Sequence, residues 1–268
     1  MLKFRNMFKG AAVLAVSCGA VLSGCGTDTQ ADTQTTPVDE NQQIISNLIE
    51  AGFPADDIME ADGKIFVGRD AHVTFEASAE MLQSGGSLEQ YHTTNLVGTS
   101  VTKICVNPTS GFNSYSRLSQ GLNDAIANYN ALGLRITFAR GPTTGCTANI
   151  TAQTMSGTGG SAGFPSGGRP YGTINIGTGL QSYSADVNEH VITHELGHAI
   201  GFRHSDYYNR AISCGSGGNE GTAGVGAILI PGTPSTATVG GSVMNSCFRS
   251  TETGEWTSSD RTALNYLY

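Results

Sequence analysis

Two histidines and a glutamate in HELGHAIGFRHSD, residues 194–206, have the spacing of a metal site with chemistry. His194 and His198 are four residues apart, so on an α-helix they lie about 40° apart around the axis and roughly one turn along it. Both imidazoles can therefore reach one ion. Glu195 lies about 100° further round the helix, which puts it beside the metal rather than on it.

A third histidine, His204, can join the other two only if the helix ends and the chain folds back. Gly201 supplies the residue that can take a positive φ at such a helix end. Three neutral imidazoles with an open fourth position are the ligand set of a catalytic zinc site. A closed structural metal site and a polar helix end with surplus histidines are the alternatives, and the offsets of Gly201 and His204 count against both.

The chemistry expected of one zinc ion in this site is hydrolysis. The ion lowers the pKa of its water toward about 7 and polarises a carbonyl group, while Glu195 accepts the water's proton and passes it to the departing amine. Asp206, two residues after the last histidine, could hydrogen-bond a ligand imidazole or cap the turn after the helix. The sequence leaves both roles of Asp206 open.

The extended motif HExxHxxGxxH resembles the signature of the metzincin zinc endopeptidases, in which a Met-turn follows it. Met244 in GGSVMNSCF matches that methionine. The resemblance implies that Met244 forms an apolar floor beneath the histidines and does not bind zinc. Several metzincins have a tyrosine two residues after the methionine. That residue is Ser246 here, so the group that stabilises the oxyanion is not identified.

The segment GFPADDIMEADGKIFVGRDAHVTF, residues 52–75, resembles the leader of the dual-action HEIGH metallopeptidases, a bacterial metzincin group. Related metzincins use the aspartate of an F-x-G-D element to cap zinc and hold the enzyme latent. Here Arg69 is inserted between Gly68 and Asp70. Asp70 is therefore either such a latency switch or the aspartate of an ordinary β-turn in a small packing module.

The elements that must position these residues follow the metzincin layout. Apolar periodicity predicts a long helix over 115–132, an active-site helix over 185–201, a C-terminal helix capped by Ser258, and strands at VTKICV, LRITF, CTANITA and TINIG. The resemblance implies an α+β zincin fold, in which a twisted mixed sheet lies behind two long helices and a cleft lies beneath its edge strand. A small N-terminal α/β module precedes this domain.

The glycine-rich segment 155–172 is predicted to be a surface loop on the rim of the cleft. The resemblance implies that the strand after it, Thr173, Ile174, Asn175 and Ile176, is the sheet edge with which an extended substrate pairs. An ordinary edge strand beside a flexible loop is the alternative.

The N-terminus predicts export. Basic residues precede a short apolar run that ends in LSGC, which marks a secretory signal and resembles the lipobox of bacterial lipoproteins. The resemblance implies that Cys25 is lipidated; an ordinary signal peptide or a hydrophobic anchor is the alternative. The expected organisation is a signal peptide at 1–24, a flexible tether at 25–43, a small N-terminal module that is a candidate pro-module at 44–96, and a catalytic domain at 97–268.

Four further cysteines, in an exported chain, predict two disulfides. Three pairings exist, and Cys105–Cys146 with Cys214–Cys247 is favoured, since the second pair would close the long segment between His204 and the Met-turn. The net charge of −8 and the lack of basic clusters beyond the first ten residues argue against nucleic-acid binding.

Together these features predict a zinc metalloendopeptidase of the cell envelope or surface that cleaves extracellular or envelope proteins. We expect a monomer that takes protein or peptide substrates and contacts the membrane only through its N-terminal lipid. A calcium requirement is left open, since no EF-hand-like loop is present. The alternative function is adhesion by a non-proteolytic surface lipoprotein, which the intact Glu195 argues against.

Overall fold

The computed structural model describes residues 39–82, 91–221 and 227–268. The expected signal peptide, Cys25 and most of the tether lie outside the described residues. The helices are α1 Glu40–Glu50, α2 Phe75–Met81, α3 Ser110–Asn113, α4 Ser116–Asn130, α5 Ala185–Ile200, α6 Ala211–Cys214 and α7 Ser258–Leu267, with a 3-10 helix at Thr178–Ser182. The strands are β1 Met59–Ala61, β2 Lys64–Val67, β3 Ala71–Val73, β4 Tyr91–His92, β5 Lys103–Pro108, β6 Thr137–Arg140, β7 Ala148–Met155, β8 Gly160–Gly163, β9 Thr173–Gly177 and β10 Ile228–Leu229.

Eight of these strands form one mixed sheet in the order β1-β2-β3-β8-β9-β7-β5-β6. Strands β6, β5, β7 and β9 are parallel, and β8 runs antiparallel to β9. The N-terminal strands extend the sheet, because β3 pairs in parallel with β8. The mixed sheet and the two long helices α4 and α5 confirm the predicted α+β architecture.

The prediction that Thr173–Ile176 forms the sheet edge is wrong. Strand β9 lies between two neighbours, with Thr173 opposite Thr151 of β7 and Ile176 opposite Gly160 of β8. The glycine-rich segment contributes β8 because a ladder requires only backbone donors and acceptors, which glycine retains. The last two residues of β8 are buried, and Ala162 is only 1% exposed. The cleft therefore adjoins β8, not β9.

Helix α5 is buried on every side, since each residue from Val187 to Ile200 is buried. It packs in the larger core with α4 and the sheet, alongside Leu122, Ile150 and Ile174. A helix in such surroundings does not need an amphipathic pattern. A rigid central helix thus carries the HELGH residues.

A second core lies in the N-terminal part of the chain. Leu48 of α1, Ile65 of β2 and Met81 of α2 are fully buried in it, and Phe164 is its one contribution from beyond residue 82 among the described residues. We call residues 39–82 the N-terminal module and residues 91–268 the catalytic domain.

Three predicted boundaries need correction. The tether does not extend to residue 43, because the side chain of Asp39 caps a helix that already begins at Glu40. The module does not extend to residue 96, because β4 pairs with β10 of the catalytic domain. Thr257, not Ser258, caps α7, forming a capping box with Asp260.

Two disulfides are present, Cys105–Cys146 and Cys214–Cys247, the same pairs that the sequence analysis favours. The first links β5 to the loop before β7, and the second links α6 to the segment after Met244. Within the described residues, no helix is both long enough and apolar enough to cross a membrane.

Candidate metal centre

The active-site helix begins and ends at residues suited to those positions. The side chain of Ser184 accepts a hydrogen bond from the backbone N–H of Val187 at 3.2 Å, which caps the start of α5. Gly201 ends the helix with φ at 118°, and a Cβ there would lie 2.7 Å from the carbonyl oxygen of Asn95. Only glycine meets both conditions without strain.

The chain after Gly201 folds back as the spacing of His204 requires. Phe202 N–H donates to Gly197 O at 3.0 Å, and Arg203 N–H donates to Tyr91 O at 2.7 Å. These bonds hold the returning segment against the start of the catalytic domain. His204 consequently lies beside His194 and His198, and all three are at most 5% exposed.

The Nε2 atoms of the three imidazoles face one another. His204 Nε2 lies 3.2 Å from His194 Nε2 and 3.3 Å from His198 Nε2. The Nδ1 atoms face acceptors: Val243 O at 2.9 Å for His194, Phe202 O at 2.8 Å for His198, and a Glu220 carboxylate oxygen at 2.7 Å for His204.

This arrangement fits zinc. A carbonyl or ionised carboxylate can only accept, so each Nδ1 carries a proton and, in a neutral ring, each Nε2 presents a lone pair. Three lone pairs directed at one point repel unless a cation lies between them. A tetrahedral zinc ion about 2.0–2.1 Å from each nitrogen would set the nitrogens about 3.3–3.4 Å apart, close to the distances found.

Asp70 of the N-terminal module lies on the open side of the cluster. Its carboxylate approaches His204 Nε2 at 3.2 Å, His198 Nε2 at 3.8 Å and His194 Nε2 at 4.0 Å. One ligand atom from each of these four residues falls within 4.8 Å of the others. The preceding residue, Arg69, has φ at 76°, so the inserted arginine is accommodated in a left-handed turn. The insertion therefore does not keep Asp70 away from the histidines.

The pKa values follow from burial and from these neighbours. Burial lowers the pKa of both His194 and His198, to about 4 for His198, which favours the neutral form that binds metal. Burial alone would also lower the pKa of His204, but Asp70 and Glu220 outweigh it and raise that pKa well above its usual value. Burial raises the pKa of Asp70, but His204, His198 and His194 outweigh it and hold that pKa below its usual range.

Glu195 borders a cavity of about 320 Å³ that opens beside the histidines. Its carboxylate is buried against Gly160 of β8, where a Cβ would collide with it, and its Oε2 has no hydrogen-bond partner among the described residues. Burial, followed by the negative charge of Asp70, raises the pKa of Glu195 well above its usual value. The cavity is lined by Arg69, Asp70, Thr158, Gly159, Gly160, His190, Val191, His194, Glu195, Asn245, Ser246, Cys247 and Phe248.

Met244 is buried against the active-site helix, since a Cβ on Gly197 would lie 2.6 Å from its sulfur. The turn around it also supports a ligand, because Val243 O accepts from His194 Nδ1. Asp260 at the start of α7 anchors this turn by accepting from Val243 N–H at 3.0 Å and Ser242 Oγ at 2.5 Å. Asp260 was not predicted from the sequence, where its local signal is its place three residues after Thr257.

Asp206 does not orient a ligand imidazole. It accepts hydrogen bonds from Ser213 Oγ at 2.5 Å and from Ser246 Oγ at 2.7 Å, so it ties together the two segments joined by Cys214–Cys247. The carboxylate that accepts from the Nδ1 of a ligand imidazole is Glu220, which was not predicted from the sequence. A signal was available, since Glu220 is the only acidic residue between Asp206 and Met244.

The N-terminal module also covers the outer side of β8. Ala71 and His72 pair with Ala162 and Gly163, and Ala162 N–H donates to Asp70 O at 3.2 Å. Tyr171 OH lies 2.5 Å from Nδ1 of His72. Strand β3, which follows Asp70, is therefore hydrogen-bonded to the backbone of β8 next to the cavity.

Comparisons with known proteins bear on this site. The model of the dual-action HEIGH metallo-peptidase family matches residues 65–268, a range that includes Asp70, the three histidines and Met244. Among solved structures, myroilysin is 14% identical with a TM-score of 0.40, and the match covers 70% of this chain and 92% of that chain. High choriolytic enzyme 1, a hatching enzyme zinc-protease from the medaka fish Oryzias latipes, is 16% identical with a TM-score of 0.40, covering 65% and 92%. A search of curated proteins gives no significant match.

Proposed function

The chain belongs to the dual-action HEIGH metallo-peptidases, a metzincin group of zinc proteases. From this premise we propose that it is a zinc-dependent endopeptidase with His194, His198 and His204 as metal ligands and Glu195 as general base. The substrates are extracellular or envelope proteins. The observation that carries the proposal is the convergence of three Nε2 lone pairs next to a cavity bordered by Glu195.

The chemistry divides between the metal and the chain. When bound, zinc acts as a Lewis acid that lowers the pKa of water and polarises the scissile carbonyl. Glu195 receives a proton from the attacking water and delivers it to the leaving amine. Its buried carboxylate has a free Oε2, which supports this role. The raised pKa of Glu195 applies with Asp70 at its side and favours proton retention between the two transfers.

The latency role of Asp70 is part of the proposal. Its carboxylate lies on the open side of the histidines, where it would compete with water for the fourth metal position. Strand β3 pairs with β8, so an extended substrate cannot use that edge until the module leaves. Both contacts support a module that holds the enzyme inactive.

We further propose export as a lipoprotein anchored through Cys25. The signal-like N-terminus and its LSGC sequence motivate this, and the two disulfides support an oxidising compartment. Replacement of Cys25 by alanine should release the protein from the membrane fraction of expressing bacterial cells. Retention of the C25A protein in that fraction would contradict the lipid anchor.

The test of the proposed activity is casein hydrolysis by the chain from Gly26 onward, both in its parent form and with Asp70→Asn to remove the proposed latency contact. Zinc content is measured in parallel. Glu195→Gln should reduce the rate by about 10²–10⁴-fold while zinc is retained. Glu189→Gln is the matched control, because Glu189 lies on the same helix and does not line the cavity. Full zinc occupancy without hydrolysis in any variant would favour the adhesion function instead.

The test of latency uses Asp70→Asn in the same chain. The loss of one carboxylate from the open side should raise hydrolysis at least tenfold over the parent chain. Asp62→Asn is the matched control, because Asp62 belongs to the same module, lies in a turn as Asp70 does, and is exposed rather than facing the histidines. Equal rates for the D70N and D62N variants and the parent chain would contradict the latency role while leaving the peptidase proposal intact.

A further inference from the structure

A buried group of three charged side chains lies behind His204, on the side away from the cavity. Glu220 is 2% exposed and pairs with two arginines, Arg210 at 3.0 Å and Arg203 at 3.3 Å. Both arginines are at most 5% exposed. We call these three residues the Glu220 cluster. Burial of charge is costly without full pairing, so a cluster of this kind needs each of its partners.

The cluster contacts the metal centre at one point. An oxygen of Glu220 accepts from His204 Nδ1 at 2.7 Å, which fixes the tautomer that presents Nε2 to the metal. The corresponding acceptors for His194 and His198 are neutral backbone carbonyls. His204 is therefore the one ligand of the three that is held by a carboxylate, and it follows a turn rather than lying on α5.

The same cluster contacts the N-terminal module at two points. Arg210 donates to the carbonyl oxygen of Gly68, and the carboxyl group of Glu220 packs against Gly68, where a Cβ would lie 2.9 Å from its nearer oxygen. Arg203 lies over the ring of Phe53 at 4.8 Å. Asp57 accepts from Gly68 N–H at 2.9 Å, so the backbone of Gly68 is fixed from both sides.

We propose that Glu220 is the positioning residue for the third metal ligand, and that the module completes its environment through Gly68. Docking of the module and the affinity for metal are then coupled through one carboxylate, independently of the direct contact of Asp70. Coupling between two binding events is reciprocal, so a change at Gly68 must alter metal affinity. This inference rests on the proposed metal centre but not on peptide hydrolysis, and its tests measure metal binding.

The first test replaces Glu220 by glutamine in the chain from Gly26 onward. Glutamine can still accept from His204 Nδ1 but does not balance the two arginines, and loss of such a partner lowers metal affinity by about 10–100-fold. Zinc affinity is measured by competition with a chelator, and the absorption spectrum of the cobalt-substituted protein reports the ligand geometry. Both should change in the E220Q protein.

Glu189→Gln is the matched control for this test. Glu189 is also buried, allows the same replacement of a carboxylate by an amide, and accepts from Asn128 Nδ2 rather than from an imidazole. The E189Q protein should retain zinc affinity within about threefold and keep the parent cobalt spectrum. Equal losses of affinity in the two variants would reduce Glu220 to a structural residue and overturn the proposal.

The second test leaves Glu220 in place, so it also decides the case in which the E220Q protein fails to fold. Gly68→Ala adds a methyl group against the Glu220 carboxyl, and Gly63→Ala is its control. Gly63 has φ at 70° against 61° for Gly68, but nothing lies within 4 Å of its Cβ position. The two variants therefore share backbone strain and differ in the contact with Glu220. Zinc affinity should fall at least fivefold for G68A and change less than twofold for G63A.

A double-mutant cycle separates the route through Glu220 from a displacement of Asp70. In an Asp70→Asn background, G68A should still lower zinc affinity at least fivefold, because the route does not pass through Asp70. If the effect of G68A disappears in the D70N background, the coupling runs through Asp70 and the proposal is wrong.

Discussion

The two regions that meet at the histidine cluster are held in place by different means. In the catalytic domain, the ligands come from a helix buried on all sides and from a turn held by Gly201, with a disulfide nearby. In the N-terminal module, Asp70 comes from a left-handed turn, and the strand after it is joined to the catalytic domain by two residue pairs. One region is built into the main core, whereas the other has its own core.

This difference shows how a metal site can keep its ligands rigid while its open side is covered by a group that can leave. The three imidazoles keep their geometry because moving them would disturb the large core around Leu196 and Ile200. Withdrawal of the Asp70 carboxylate would leave that large core intact, because Phe164 alone joins the module's core from the other region among the described residues. The comparison predicts that the two regions respond separately to changes in their cores.

The largest expected effects come from matched truncations of the two cores. Leu48→Ala and Leu122→Ala each remove a fully buried side chain, and each should lower the free energy of unfolding of its own region by about 2–5 kcal/mol. Trp256, the single tryptophan, reports on the catalytic domain alone. In denaturant titrations, the midpoint of the Trp256 fluorescence transition should fall to a lower denaturant concentration for L122A and stay unchanged for L48A. A shift of the same size in both proteins would mean that the regions unfold together.

Loss of the disulfide next to the metal centre is the next largest effect. Cys214→Ala with Cys247→Ala opens a loop of 33 residues, which should cost about 3–4 kcal/mol by loss of the constraint on the unfolded chain. The pair Cys105→Ala and Cys146→Ala opens a loop of similar length, 41 residues, and neither of these cysteines lines the cavity. Stability should fall in both proteins, but zinc affinity only in the first, since Cys247 lines the cavity. Unchanged zinc affinity in both would show that the histidines do not need this constraint.

The same contrast explains how much of the site could be predicted from the sequence. His194, His198 and Glu195 are on one helix, and Gly201 with His204 follows within six residues, so local geometry brings them together. Strand TINIG was also predicted with its observed bounds, Thr173–Gly177. The motif residues could be placed because they are close in sequence, and the strand could be placed because its apolar alternation is uninterrupted.

The parts that were missed depend on contacts between distant segments. The position of Thr173–Gly177 inside the sheet depends on β8, whose Gly-Ser-Ala-Gly sequence has no apolar alternation. Glu220 lies in a glycine-rich segment and reaches His204 only after the chain has folded back past α6. Asp206 was the nearer carboxylate in sequence, but its side chain meets Ser213 and Ser246 instead. Proximity along the chain was a poor guide to these side-chain partners.

Removal of helix caps gives a smaller effect and tests the same separation. Thr257 caps α7 in the catalytic domain and Thr74 caps α2 in the module, each through a side-chain oxygen that accepts a backbone N–H. Thr257→Ala and Thr74→Ala should each cost about 1 kcal/mol. Thr257→Ala should lower the denaturant concentration at the midpoint of the Trp256 fluorescence transition. Thr74→Ala should leave that midpoint unchanged and only speed proteolysis within the module. A lowered Trp256 transition in the T74A protein would show that the module stabilises the catalytic domain.

The smallest expected effect is a pH dependence confined to the catalytic domain. Burial, together with the negative charges of Asp124, Glu255 and Asp186, raises the pKa of Glu189 from 4.5 to about 7. Because the folded state holds this proton more tightly than the unfolded state, stability falls as the pH rises from about 4.5 through about 7. Glu189→Gln removes the charge and can keep the hydrogen bond from Asn128 at 2.7 Å. The E189Q protein should therefore match the parent in melting temperature near pH 4 and exceed it by a few degrees at pH 8, while the module's transition stays unchanged. A gain in melting temperature that is constant across this pH range would assign the effect to packing rather than to charge.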